Sequence, residues 1–94
     1  MFHILVVEDD AKLRSLFCTG LTNNGYLALP AESGEKALSL LDSEYVDLII
    51  SDIMMPGMPG TELCAKIKNN IETCHIPVVL LTALSAPERE LEGL

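Results

Sequence analysis

The sequence predicts a single α/β domain, a doubly wound parallel sheet with helices on both faces. Two observations carry this. Short β-branched apolar runs alternate with segments of helical periodicity along all 94 residues, the pattern of a parallel sheet with right-handed crossovers. Two of the runs also end directly in acid, with Ile4-Leu5-Val6-Val7 leading into Glu8-Asp9-Asp10 and Val46-Asp47-Leu48-Ile49-Ile50-Ser51 into Asp52. Apolar runs of this length read as buried parallel strands, and open α/β sheets bind ligands beyond the carboxyl ends of their strands.

The elements follow in order. A first strand is expected from about His3 to Val7, and Asp10 is placed to cap the helix behind it. Leu13, Leu16, Phe17, Gly20 and Leu21 recur at the spacing of one helical face, predicting a buried stripe. Asn23-Asn24-Gly25 ends that helix, with Gly25 suited to the left-handed position after the cap. Tyr26 to Leu29 reads as a short second strand. Ser33 is the next cap, and Ala37, Leu38, Leu40 and Leu41 supply the inner face of a second helix. The third strand spans Asp47 to Ser51 and ends at Asp52. Met54-Met55-Pro56-Gly57-Met58-Pro59-Gly60 is too dense in breakers to be helical throughout. A third helix starts near Thr61, with Leu63, Cys64 and Ile67 inward, and fades at Asn69-Asn70. Pro77 precedes a fourth strand, Val78 to Leu81, ending at Thr82. Ser85-Ala86-Pro87-Glu88 is a capping box with proline in the first turn, the start of a fourth helix.

Composition narrows the function. The formal net charge is -8, and the six Lys and Arg are scattered, whereas a nucleic-acid module shows a basic patch. Direct DNA or RNA binding by this segment is therefore not expected, and the acidity suits cation binding. Cys18, Cys64 and Cys74 form neither a paired framework nor a zinc signature, which fits reduced thiols in a cytoplasmic protein. No basic n-region precedes an apolar signal-length segment, and no run reaches transmembrane length, so no membrane association is expected.

The candidate chemistry lies at the strand ends. If the first and third strands are neighbours, Glu8, Asp9 and Asp52 converge on one rim. Three carboxylates repel one another unless protons or a cation compensate. A divalent-metal site is the reading, with Asp52 a possible nucleophile. A hard cation such as Mg²⁺ takes a few carboxylate oxygens and keeps several waters. Capping explains Asp10 better than metal binding does. For Glu8 and Asp9 taken alone the two readings stand even, and a lone Asp52 would read as a turn residue. Together the three favour the metal. At the end of the fourth strand, the Thr82 hydroxyl would face the same rim and the Ala83 backbone N–H beside it could bind an oxyanion, although Thr82 taken alone reads better as an ordinary β-branched strand residue. His3 and His75 lack a partner at ligand spacing. Met54, Met55 and Met58 read as packing residues, and Cys64 as core.

These residues carry a family likeness. The strings Ile4 to Asp10, Asp47 to Gly60 and Pro77 to Ala83, with their spacing, resemble the receiver domain of two-component response regulators over the whole chain. The segment Ile67 to Pro77 resembles receivers of hybrid sensor kinases. The resemblance implies a flavodoxin-like sheet in the order 2-1-3-4, followed by a fifth strand in the complete family fold. It implies Asp52 as phosphoacceptor and Asp9 as a direct Mg²⁺ ligand. Glu8 would act through a metal-bound water, and the Met54 main-chain carbonyl would be a further ligand. Thr82 and the Ala83 N–H would bind the phosphoryl group. A histidine kinase would be the phosphodonor, and the domain would catalyse its own phosphorylation and dephosphorylation as a switch, not as a conventional enzyme.

Two departures from the family pattern stand out. Pro59 occupies the place of the usual Asp before the last glycine of the loop, a change expected to alter the loop more than the chemistry. The family's fifth strand and helix, its phosphate-pairing lysine and its switch aromatic have no counterpart, and Lys66 and Lys68 on the third helix cannot serve. The chain at 1-94 is thus expected to be a C-terminally truncated receiver with an exposed fourth strand that promotes homo-oligomers. A pseudo-receiver acting only as an interaction module is the alternative. A haloacid-dehalogenase-type phosphatase is set aside, because its aspartate pair follows the first strand and the position two beyond Asp52 is Met54.

Overall fold

The computed structural model describes residues 1–81. Four parallel strands, β1 (His3–Val7), β2 (Leu27–Ala31), β3 (Leu48–Asp52) and β4 (Val78–Leu81), form one sheet in the order β2-β1-β3-β4. Helices α1 (Ala11–Asn23), α2 (Gly34–Ser43) and α3 (Gly60–Lys68) connect them. The chain moves outward from β1 to β2 and then crosses back to β3. With right-handed crossovers that reversal puts α1 on one face of the sheet and α2 and α3 on the other. The expected order and the helices on both faces are found.

The local signals act as read. Asp10 caps α1, its Oδ1 accepting from the N–H groups of Lys12 at 2.8 Å and Leu13 at 3.2 Å, a contribution of about 1 kcal/mol. At the other end Tyr26 N–H donates to Leu21 O and Gly25 N–H to Thr22 O. This paired closure needs a left-handed residue, and Gly25 sits at φ 89. Ser33 Oγ accepts from Lys36 N–H at 3.1 Å and caps α2. Pro59 at the start of α3 makes no side-chain cap, so the first turn of the helix lacks the side-chain acceptor that a capping residue supplies. The second strand runs Leu27–Ala31 instead of Tyr26 to Leu29, and the third starts at Leu48. Asp47 lies just before it, its N–H donating to His3 O and its carboxylate accepting from His3 N–H.

The core lies between the sheet and the α2–α3 layer. Leu5, Val7 and Ile49 from the strands meet Ala37 of α2 and Leu63 and Ile67 of α3, all at most 1% exposed. Met55 and Met58 of the β3–α3 loop are buried in the same cluster. On the other face Ile4 and Val6 are buried, yet α1 contributes no fully buried residue. Leu13, Phe17 and Leu21 are half-buried, whereas Leu16 and Gly20, expected in the same stripe, are exposed. The reason is placement. The helix packs over β1 and β2. Its flank toward β3 and β4 borders a groove of about 400 Å³ lined by Leu16, Phe17, Gly20, Leu21, Tyr26, Ile50 and Leu81. Met54 is also exposed and not packed, and Cys64 is half-buried, not core. The expected fourth helix from Ser85 lies outside the described residues.

Candidate functional site

The register builds the site. Val7 lies opposite Ser51 across the β1–β3 pair, so one step further brings Glu8 level with Asp52. One carboxylate oxygen from each of Glu8, Asp9 and Asp52 lies within 4.8 Å of those of the other two. The rim predicted from the strand ends is therefore formed, and three negative charges share it.

The three acids are held differently. Glu8 is only 2% exposed. Its main-chain N–H is taken by Ala31 O, and its Oε2 accepts from Asp10 N–H at 3.0 Å. Its Oε1 is buried with no hydrogen-bond partner among the described residues. Burial pushes the Glu8 carboxyl up from 4.5 to about 6, and the negative Asp52 and Asp9 add to the push while the Asp10 N–H opposes it. Asp9 is exposed on the turn. Asp52 is half-buried at the end of β3, and its Oδ1 accepts from Met54 N–H at 3.3 Å, which limits rotation of the carboxylate.

The floor under Asp52 is tightly built. Ser51 is fully buried and its Oγ donates to Asp52 O at 2.9 Å. The β3–α3 loop leaves the sheet at Ile53 and closes back on it, Gly60 N–H donating to Ile53 O at 2.9 Å. A Cβ on Gly60 would run into the Asp52 carbonyl oxygen and come within 2.9 Å of Ile53 Cα. Glycine is required here for close approach of two backbone segments.

A buried carboxylate oxygen without a donor, facing two further acids, costs free energy unless a cation or proton takes it. The donor set is all oxygen, the chemistry of a hard divalent ion. The residues present therefore fit Mg²⁺. Met54 lies beside the trio through its N–H. Thr82 and Ala83, expected at the same rim, lie outside the described residues. Leu81, opposite Asp52 across the β3–β4 pair, is the last residue before them.

Residue-type reasoning did not single out Arg14, Ser51 or Gly60. Arg14 could have been noticed as a cation four residues past a helix cap, where the helix dipole disfavours one. The close approach at Gly60 has no sequence signal beyond the glycine itself.

The fold and the acid rim together define a class, an α/β domain with a carboxylate trio at the switch between the two winding directions of its sheet. A family model, the response regulator receiver domain, matches residues 4–94. The chain belongs to that family. It is 52% identical over 91 residues to histidine kinase P4 of Formosa agariphila, covering 97% of this chain and 7% of that protein. It is 40% identical over 92 residues to the phosphate regulon transcriptional regulatory protein PhoB of Escherichia coli, covering 98% of this chain and 40% of that protein. The chain thus spans well under half the length of these curated relatives. Among solved structures, the N-terminal domain of a response regulator receiver protein from Methanoculleus marisnigri superposes with a TM-score of 0.86 at 40% identity, over 98% of this chain and 76% of that one. The receiver domain of a signal transduction histidine kinase from Syntrophus aciditrophicus gives 0.84 at 35% identity, over 99% and 70%.

Proposed function

We propose that this receiver domain accepts a phosphoryl group from a histidine kinase onto Asp52 and changes conformation in response. The observation that carries the reading is the orphaned Oε1 of Glu8 beside Asp9 and Asp52. Asp9 and Asp52 would hold Mg²⁺ directly, Glu8 through a water, and the Met54 carbonyl would complete the protein ligands. The bound ion would neutralise charge on the transferring group, which is the main catalytic need in phosphoryl transfer.

The chain's own part is positional. The Asp52 carboxylate attacks phosphorus in line and the donor's histidine nitrogen leaves. The Met54 N–H and the Gly60–Ile53 closure hold the nucleophile still, a contribution of the kind that effective molarity measures. Thr82 and the Ala83 N–H would take the phosphoryl oxygens, and reorientation of Thr82 would couple phosphorylation to a two-state element.

The same reading places the domain in the cytoplasm, where its kinase partner presents the phosphohistidine, and without nucleic-acid contact of its own at net charge -8. No helix among the described residues is long and apolar enough to cross a membrane. The 52% identity to a histidine kinase supports a hybrid sensor kinase as the parent.

Incubation with Mg²⁺ and a small phosphodonor, read by intact mass, tests the chemistry. The expected result is one added phosphate that is labile to base and absent in Asp52→Asn. A shift that persists in that variant contradicts the assignment. No shift in a chain that still binds Mg²⁺ leaves the interaction-only pseudo-receiver as the better account.

Self-association is a second element of the proposal. Among the described residues β4 is an edge strand, with Val79 44% exposed, and unpaired apolar edges invite pairing. Light scattering at rising concentration should show a growing dimer fraction. A clean monomer at tens of micromolar, an order-of-magnitude choice, contradicts it.

A further inference from the structure

Arg14 stands where the helix that carries it does not favour a cation. It follows the cap Asp10 by four residues, and its own N–H makes the first main-chain bond of α1, to Asp10 O at 2.9 Å. The dipole is positive at this end and favours acids. The guanidinium nonetheless reaches back over the helix start. Its Nη1 donates to Glu8 O at 2.8 Å, and Asp9 O lies 3.4 Å away.

Those two carbonyls belong to the residues that contribute two of the three carboxylates of the rim. The rest of the turn is closed by short local bonds, Asp10 N–H to Glu8 Oε2 and the N–H groups of Lys12 and Leu13 to Asp10 Oδ1. Arg14 is the long-reaching member of this set, spanning six residues from α1 to the end of β1. A charged donor on a carbonyl makes a stronger bond than a neutral one.

We infer that Arg14 is a positioning residue for the cation site: it clamps the Glu8–Asp9 main chain so that both carboxylates face Asp52 before an ion arrives. The inference rests on the reading of the trio as a Mg²⁺ site. Groups that orient metal ligands without touching the metal commonly change affinity by on the order of 10-fold when removed.

The sign of the effect separates this role from simple electrostatics. A guanidinium beside the rim repels a second cation, so losing its charge alone would tighten Mg²⁺ binding. Losing a clamp weakens it. Mg²⁺ affinity is measured at pH 7 by titration calorimetry for the wild-type chain, Arg14→Ala, Arg14→Lys and, as a charge control, Lys12→Ala. Amide exchange across residues 8–13 is followed without Mg²⁺.

The expected result is roughly 10-fold weaker binding in Arg14→Ala, partial recovery in Arg14→Lys, faster exchange confined to residues 8–13, and no weakening in Lys12→Ala. Unchanged or tighter binding in Arg14→Ala overturns the inference, as does weakening that Arg14→Lys does not relieve at all. A wild-type chain that takes no Mg²⁺ overturns the reading of the site itself. Binding that is equal in the wild-type chain and in Arg14→Ala overturns only the role of Arg14.

Discussion

Acids flank the sheet at both ends, and the two ends treat them in opposite ways. Asp47 lies just before β3, at the amino end of the strands. Its Oδ2 accepts from His3 N–H at 2.7 Å, and its own N–H returns a bond to His3 O at 2.8 Å. The His3 N–H first, and then the Tyr45 hydroxyl, hold the Asp47 carboxyl below its ordinary value. The same contact pushes the Tyr45 hydroxyl up, while the His3 ring meets the Tyr45 ring edge-on at 5.5 Å. Glu8 lies just after β1, at the carboxyl end. It has one N–H donor, one orphaned oxygen and two acidic neighbours. Its carboxyl is pushed the other way. Asp47, held by the His3 N–H, fastens the start of β3 to β1. An acid surrounded by acids is stabilised only by something the protein does not itself supply.

The comparison can be broken most forcefully at the frame of the acidic end. Gly60→Ala puts a Cβ against the Asp52 carbonyl, where backbone and not a flexible side chain must move. Overpacking of this kind should cost roughly 3 kcal/mol, read as a lower midpoint in urea with an unchanged slope. A loss below about 1 kcal/mol would mean that the loop does not close on Asp52 as described.

The next effect is smaller and depends on pH. Glu8 titrates at its ordinary 4.5 when unfolded and at about 6 when folded, so the folded state holds the proton more tightly. Between those values the folded state binds more protons, and stability falls as pH rises through the window. Above about 6 the whole penalty is present, roughly 2 kcal/mol. Without metal, Glu8→Gln should therefore flatten the window from 4.5 to 6 and be the more stable protein at pH 7. Asp47 runs in the opposite sense. Its folded value is lowered, so the stability it contributes is present above 3.8 and is lost as pH falls below that. Asp47→Asn should leave the Glu8 window intact. Denaturation midpoints at several pH values check both, and an unchanged window in Glu8→Gln contradicts the account.

Much of this was legible in the residues. Alternating apolar runs and helical stripes specify four strands, three described helices and a parallel sheet, because each pattern matches only one way of burying its apolar side. Asp10, Ser33 and Gly25 act locally, so their roles could be read without a fold. The trio needed one more fact, that β1 and β3 are neighbours, and the family likeness supplied it. Three things stayed hidden for physical reasons. Periodicity says which residues of α1 share a face but not how far a neighbouring layer covers that face, so Leu16 and Gly20 were expected to be buried. Met54 shares its loop with Met55 and Met58, and only the path of that loop turns one outward and two inward. Arg14 and Gly60 act through main-chain atoms of Glu8, Asp9 and Asp52, and no side-chain pattern encodes which carbonyl a distant residue will meet.

The most direct test of the central claim is a Mg²⁺ titration of the chain at pH 7, read by both calorimetry and thermal midpoint. The account predicts one saturable Mg²⁺ per chain, a rise of the midpoint as the site fills, and loss of both in Asp9→Asn. A chain whose midpoint and heat of titration are indifferent to millimolar Mg²⁺ would contradict it, because the orphaned carboxylate would then be compensated in some other way.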